Sequence, residues 1–161
     1  MENQLVKQLQ DTIEQLKAEI FRLNWVISEL PGDVYWKDKN GTYLEMNKHG
    51  IESLRKMGFK WTKSDIIGKT DYDLFDKKTA DMFTKNDLHV MENNVTTSKE
   101  EATRLPSGKE IVQLSTKCPL VNIKNEIVGI IGNTVDITFI KSLEKKLKIA
   151  KEKHLKYLKE I

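Results

Sequence analysis

An apolar pattern with a seven-residue repeat indicates that the first 30 residues of the chain form a helix. Branched aliphatic side chains recur there at spacings of three and four: Val6, Leu9, Ile13, Leu16, Ile20, Leu23, Ile27 and Leu30. The first position of each repeat is β-branched and the fourth is leucine, which favours a parallel coiled coil of two strands. We therefore predict that residues 1–30 are a dimerising helix with these eight residues at the interface. The alternative is an amphipathic helix that packs on its own domain.

The last segment, 139–161, reads as a lysine-rich helix with eight Lys against three Glu. A basic terminal helix can bind nucleic acid or an anionic membrane surface. These lysines are not interleaved with a nucleic-acid reading motif, so we predict a solvated helix and no nucleic-acid partner. Its apolar seam weakens at His154 and Tyr157, which indicates a helix that continues into an output domain beyond residue 161.

Between these helices, residues 31–138 have the pattern of an α+β domain: two strands, then helices, then three strands. Pro31-Gly32 ends the first helix, and Asn40-Gly41 between two β-prone runs predicts a hairpin. Asn47 and Asp76 are suited to cap helices. The expected elements are strands near 34–36 and 42–44, helices near 47–58 and 77–93, and strands near 95–104, 109–121 and 126–137.

The sequence lacks the features that are typical of membrane and secreted proteins. Cys118 is the only cysteine, so no disulfide framework exists. No apolar run approaches the ~18–20 residues of a membrane span. Met1 leads directly into polar residues, unlike a signal peptide. We therefore predict a cytoplasmic protein with no membrane span.

Motifs for catalysis are also missing. His49, His89 and His154 lie far apart without ligands at metal-site spacing, so we predict no metal site. No phosphate-binding loop or nucleophile–base motif occurs. The carboxylate pairs Glu100-Glu101 and Asp71/Asp73 are interpreted as solvated or structural. We predict no catalytic residues, and that this chain is not an enzyme.

Three stretches, in the right order, resemble the PAS family. Residues 34–47 resemble its first hairpin, and residues 66–75 look like its central helical turn. The last two strands and the terminal Asp-Ile-Thr signature are matched by 117–120, Gly129, Gly132 and Asp136-Ile137-Thr138. The resemblance covers 31–138 and implies a five-stranded antiparallel sheet with helices on one face, enclosing a small cavity. It also implies parallel dimers joined by flanking helices.

The same resemblance bears on cofactors. Flavin-binding photosensory relatives carry a reactive Cys in a Gly-Arg-Asn-Cys stretch, where this chain has 71–74, and a Gln where it has Thr134. Haem-binding relatives carry their iron ligand on the long helix before an Asp. Here Asn86 precedes Asp87, and His89 lies about one turn away. Neither a photoactive flavin nor haem is expected, and the cofactor stays unspecified.

A small-molecule ligand would bind between the long helix and the inner face of the sheet. Gln113, Ser115 and Lys117 alternate along one strand with an aliphatic set, and the sequence leaves open which set faces inward. If Lys117 is inside, it needs a partner, and Asp87 can supply one. The candidate ligand-binding residues are Asp87, Gln113, Ser115, Lys117 and Thr134.

Signal coupling is expected where the last strand becomes the exit helix. Asp136 and Thr138 can cap that helix or bind the neighbouring strand around Tyr35–Lys37. We hypothesise that Asp136, Ile137 and Thr138, with Trp36 and Lys37, couple the core to paired exit helices.

The favoured function is therefore a sensory module of a parallel homodimer, which detects an intracellular signal or small ligand. Glu144, Leu147 and Ala150-Lys151 resemble the linker that histidine kinases carry after a PAS domain, so a two-component histidine kinase is the favoured parent. The alternatives are a diguanylate cyclase or transcription regulator as output, a ligand-free dimerisation adaptor, and an uncharacterised enzyme.

Overall fold

The computed structural model describes residues 2–159, in which two long helices flank an α+β core. The ends of the predicted segments at residues 1, 160 and 161 lie outside the described residues. The elements in chain order are α1 Glu2–Glu29, β1 Asp33–Asp38, β2 Tyr43–Met46, α2 Lys48–Lys56, α3 Lys63–Ile66, α4 Asp71–Leu74, α5 Lys77–Asn93, β3 Thr97–Arg104, β4 Glu110–Val121, β5 Ile127–Asp136 and α6 Thr138–Lys159.

The five strands form one antiparallel sheet in the order β2-β1-β5-β4-β3. This arrangement confirms the predicted α+β, PAS-like fold. β1 and β5 are neighbours although most of the domain separates them in sequence, with Tyr35 opposite Gly132 and Lys37 opposite Ile130. The short helices and α5 cover the inner face, where these residues point.

Two predicted helix caps hold the core elements in place. The Asp76 carboxylate accepts the Thr79 N–H at the start of α5. Asn47 does more than cap α2, because its Oδ1 accepts both the Gly50 and Val34 N–H groups. Its Nδ2 donates to three carbonyl groups at the end of α1 and just beyond it: Ile27, Leu30 and Gly32. Asn47 therefore joins α1, β1 and α2 at one point.

The apolar seam of α1 does not fold back onto the sheet. Seven of its eight residues are 42–58% exposed, and only Ile27, next to the core, is half-buried. The alternative in which α1 packs on its own domain is therefore wrong for most of the helix. α6 likewise exposes apolar residues, including Ile140, Leu143 and Leu147. Pairing of these seams with a second chain stays a prediction.

The core itself is built from aromatic and aliphatic side chains between α2, α5 and the sheet. Its members are Tyr35, Tyr43, Met46, Ile51, Leu54, Ile66, Val90 and Ile130. Two glycines of β5 allow this packing, because a side chain at Gly132 would overlap the Tyr35 ring and one at Gly129 would overlap the Lys37 backbone carbonyl. Within residues 2–159, no helix combines the length and apolar character that crossing a bilayer requires.

Gly129→Ala should lower the free energy of unfolding by about 1–3 kcal/mol, the usual cost of forcing extra volume into a packed structure. The added methyl group meets backbone, which cannot rotate away as a side chain can. Urea denaturation measures the change, and Asn133→Ala, at an exposed position of the same strand, is the control. Equal stability of the two variants would show that β1 and β5 are not so closely spaced.

Candidate ligand-binding site

Five charged side chains meet beneath the helices and form a buried ion cluster. Lys37 Nζ lies 2.5 Å from Asp71 Oδ2 and 2.8 Å from Asp87 Oδ2. Lys117 Nζ lies 2.7 Å from Asp87 Oδ1 and 3.3 Å from Glu101 Oε1. All five side chains are at most 4% exposed. Asp87 is the centre of the cluster, since each of its oxygens contacts a different lysine.

Strand alternation explains how two lysines come to lie inside. Lys37 follows Tyr35 on the inner face of β1, and Lys117 follows Ser115 and Gln113 on the inner face of β4. Of the two orientations that the sequence left open, the structure has the polar set of β4 inside, while Leu114 is exposed. The predicted Asp87–Lys117 ion pair is thus present.

The carboxylates keep both lysines charged. Burial by itself lowers the pKa of Lys37, but the charges of Asp87 and Asp71 outweigh it and raise that pKa. Burial also opposes the charge of Lys117, while Tyr35, Asp87 and Glu101 raise its pKa. A lysine whose pKa is higher in the folded than in the unfolded chain stabilises the fold. This stabilisation is fully present at any pH below the unfolded pKa of about 10.4, and it is lost as the pH rises through the pKa of the folded protein.

Tyr43 completes one side of the cluster. Its hydroxyl donates to Asp71 Oδ1 at 2.9 Å. Burial, reinforced by the Asp71 charge, raises the pKa of Tyr43 well above its ordinary value. The phenol therefore stays a neutral donor, and Asp71 has two partners from different strands.

A cavity of about 50 Å³ lies between the helices and the inner face of the sheet. By the rule that one water needs ~10–15 Å³ of such volume, it holds a few water molecules. Its walls are largely apolar and aromatic, with Tyr35, Tyr43, Phe75 and Phe83 among them. The other lining residues with polar side chains are Asp33, Glu101, Thr103, Gln113 and Thr134. A flavin or a haem would require these walls to move far apart.

Four of the five predicted ligand-binding residues lie on the inner face of the sheet, and the fifth, Asp87, lies opposite them on α5. Gln113 and Thr134 line the cavity. Ser115 and Thr134 are linked by a hydroxyl contact of 3.2 Å, while Asp87 and Lys117 belong to the buried ion cluster beneath. Their role in binding a ligand stays a prediction.

Asp71 and Glu101 belong to the site although the sequence does not indicate them. The interpretation of both as solvated is wrong, because they are 2% and 3% exposed. Their neighbours Glu100 and Asp73 are exposed. The only available signal was strand alternation, which puts Glu101 and Thr103 on one face of β3.

The exit helix is anchored to β4. Asp136 Oδ1 accepts the Thr138 N–H, as expected for a cap. Thr138 Oγ1 then accepts the Val112 N–H at 2.9 Å, and the Ile137 N–H donates to the Val112 carbonyl. A further ion pair of 2.5 Å joins Lys141 of α6 to Glu100 of β3.

The sequence leaves open whether Asp136 and Thr138 cap α6 or bind the strand around Tyr35–Lys37, and the structure has the cap. β1 and β5 are antiparallel, so the end of β5 lies beside the start of β1, where Asp33 is opposite Thr134. Trp36 instead faces Ile131 and borders a groove near the end of α1, and Lys37 belongs to the buried ion cluster. Any coupling by these five residues must therefore follow two separate routes.

Among residues 4–158, whose side chains the structure describes, no group of His, Cys and acidic residues is arranged to hold a metal ion. His49 Nδ1 lies 3.1 Å from Asp33 Oδ1 at the edge of the cavity. His89 is exposed and contacts Asn93.

Comparison with known proteins gives a consistent result. The family model described as PAS fold matches residues 28–139. A diguanylate cyclase of Vibrio cholerae serotype O1 is 30% identical over 125 residues, which are 76% of this chain and 37% of that protein. An uncharacterised protein of Sinorhizobium fredii is 23% identical over 131 residues, 80% of this chain and 15% of that protein. The chain thus spans well under half the length of either relative.

Solved structures share the fold. VqmA bound to DPO superposes with a TM-score of 0.62 at 24% identity, covering 72% of this chain and 57% of that one. The PAS domain of BvgS from Bordetella pertussis gives a TM-score of 0.61 at 24% identity, covering 84% of this chain and 98% of that one.

Asp87→Asn should destabilise the protein by about 3–5 kcal/mol, because removing one charge from a buried ion pair leaves the others uncompensated. Asp81→Asn is the control, since Asp81 lies on the same helix, is half exposed and pairs with Lys77. That exposed pair should contribute about 0–1 kcal/mol. Urea denaturation at neutral pH measures both, and similar effects of the two changes would contradict a buried cluster.

Proposed function

The chain belongs to the PAS fold family, and we propose that it detects a small intracellular molecule in the cavity and passes the change through paired helices to an output domain. As a PAS domain it is a sensory module. The proposal divides the chain into a dimerising helix over 1–30, a sensor over 31–138 and a signalling helix over 139–161. It also includes a cytoplasmic location.

One observation carries this proposal. Gln113 lines the cavity, and its neighbour Val112 holds the first residue of the exit helix. Side chains alternate along a strand, so β4 presents one residue to a ligand and the next to the outer side of the sheet. A molecule that displaces Gln113 therefore acts on the strand that anchors Thr138.

Pairing of two chains is the second part of the proposal. α1 presents one continuous aliphatic seam to solvent, and unpaired apolar stripes of this length mark interaction sites. A second copy in parallel fits, because β-branched and leucine positions would meet their equivalents. Asn47 ties the end of this helix to the core, so the dimer contact and the sensor are joined.

The kind of output domain is the third part of the proposal. The histidine kinase favoured from the sequence stays a prediction, as does the absence of a nucleic-acid partner. The 30% identity to a diguanylate cyclase favours a cyclic-dinucleotide output over a histidine kinase. A transcription regulator is a further alternative, since VqmA is described in a complex with a ligand and DNA.

The small cavity favours a second candidate function, a dimerisation adaptor without a ligand. A volume of about 50 Å³ holds only a few waters. The sensor proposal therefore requires the walls to move outward for any ligand larger than a few atoms.

Dimerisation through α1 predicts that the chain is a dimer in light scattering and that Ile13→Glu with Ile20→Glu makes it monomeric. Four charges, two from each copy, would then meet at the seam. Gln8→Glu with Gln15→Glu adds the same charge at exposed positions outside the seam and should leave the dimer intact. A monomeric starting protein, or a dimer that survives the seam changes, would refute this interface.

Ligand binding predicts a dimer mass with an additional small molecule in native mass spectrometry after incubation with a small-molecule extract of bacterial cells. Thr134→Leu fills the cavity and should abolish the added mass while the dimer remains. Asn133→Leu, on the exposed side of the same strand, is the control and should retain it. No added mass on the unaltered protein, or one that Thr134→Leu leaves unchanged, would favour the adaptor.

A further inference from the structure

The cavity contains polar atoms that have no partner in the protein. Tyr35, Glu101 and Gln113 line it and are 7%, 3% and 7% exposed. Among the side chains of residues 4–158, the Tyr35 hydroxyl has no hydrogen-bond partner. Gln113 Oε1 accepts from Thr103 Oγ1, which leaves Nε2 unbonded. Glu101 Oε1 accepts from Asn86 Nδ2, which leaves Oε2 unbonded.

These three atoms are accessible to a small molecule. Among the described residues, no fully enclosed side-chain nitrogen or oxygen lacks a hydrogen-bond partner. The three unbonded atoms must therefore border open space, although their residues are more than nine-tenths buried. The space that their residues share is the cavity.

The charge around the cavity is unbalanced. The buried ion cluster combines three carboxylates with two ammonium groups, which leaves one negative charge in excess when all are ionised. Asp33, which His49 contacts at 3.1 Å, adds a further carboxyl to the lining, and no lysine or arginine of the described chain lines the cavity. Buried negative charge in excess of the positive charge is costly, so a cation in this space is stabilised and an anion is repelled.

The aromatic walls favour the same class of molecule. Ring faces attract cations within about 6 Å of their centres. The protein already uses this contact, since Lys37 Nζ lies 4.5 Å from the Tyr43 ring centre and Lys117 Nζ lies 5.2 Å from that of Phe83. Both rings also line the cavity.

Gln113 can present either end of its amide. The Thr103 hydroxyl donates to Oε1 in the structure, and a hydroxyl can equally accept from Nε2 if the amide turns over. Oε1 would then face the cavity. Glu101, Tyr35 and Gln113 together offer three acceptors to a molecule that carries several N–H donors.

We propose that the cavity selects a small organic cation with several N–H donors, such as a protonated amidine or amine. Glu101 Oε2 binds the charge, and the Tyr35 hydroxyl and the Gln113 amide accept the remaining N–H groups. This inference rests on the proposed sensory function and specifies the chemical class of the molecule that is sensed.

Acetamidinium, acetamide and acetate test the proposal, because they share one planar skeleton of four heavy atoms and differ in charge. Each is titrated into the isotope-labelled chain, and NMR follows the Gln113 side-chain amide and the neighbouring backbone. We expect acetamidinium to bind with a Kd on the order of millimolar and about tenfold below that of acetamide. Acetate should produce no saturating shift.

Three variants identify the atoms involved. Glu101→Gln should reduce the preference for acetamidinium over acetamide to about twofold or less, because the charge partner is gone. Glu100→Gln, whose side chain pairs with Lys141 on the outer side, is the control and should keep the preference. Tyr35→Phe removes a hydroxyl without a protein partner, so it should fold normally and weaken acetamidinium several-fold.

Tighter or equal binding of acetamide or acetate would overturn the proposal, as would an undiminished preference in Glu101→Gln or the absence of saturable acetamidinium binding. The experiments distinguish a wrong ligand class from a wrong sensory function. A neutral or anionic molecule that native mass spectrometry detects, and that Thr134→Leu abolishes, would leave the sensory function standing and refute only the cation.

Discussion

The Asp87 carboxylate contacts two lysines that lie on different strands of the sheet. Lys37 is on β1 and Lys117 on β4, with β5 between them, while Asp87 is on the helix that crosses over all three. Ion pairs of this kind are weak evidence for stability, because removing two charges from water costs about as much as their attraction returns. Their effect is on geometry: the long helix has one position in which both lysines are neutralised. Asp71 and Glu101 extend this constraint to α4 and β3.

That constraint places a row of polar side chains on the inner face of β4. Gln113, Ser115 and Lys117 are buried there, whereas Leu114 is exposed on the outer side. A polar interior next to a small cavity can respond to a molecule that competes for its hydrogen bonds. Two contacts can transmit this response from the core to the flanking helices. β4 holds the exit helix through Val112, and Asn47 holds the end of α1.

Local chemistry made much of this fold predictable from sequence. Asn47 and Asp76 cap helices because their side chains reach the next N–H groups along the chain. The seam of α1 is predictable because its apolar residues recur every three and four positions. A buried Lys117 needs a charge partner from another element, and Asp87 could be proposed because it shares a helix face with Phe83. Glu101 could not be placed, because β3 is polar on both faces and alternation alone does not say which is inside. Asp71 lies in a single helical turn whose orientation depends on the whole domain. The contact of Thr138 with Val112 could not be predicted, because it depends on β4 being the neighbour of β5 where β5 ends.

Coupling between the inner face of β4 and the exit helix is the central claim, and amide hydrogen exchange where α6 begins tests it most directly. The amides of Val112 and Ile137 form the two hydrogen bonds that hold the start of α6 to β4. In Lys117→Met these two amides should exchange faster than in the unaltered protein, by a larger factor than the amides that pair β1 with β2. Unchanged protection at Val112 and Ile137, or a uniform increase across the sheet, would contradict transmission from the inner face of β4 to the helix.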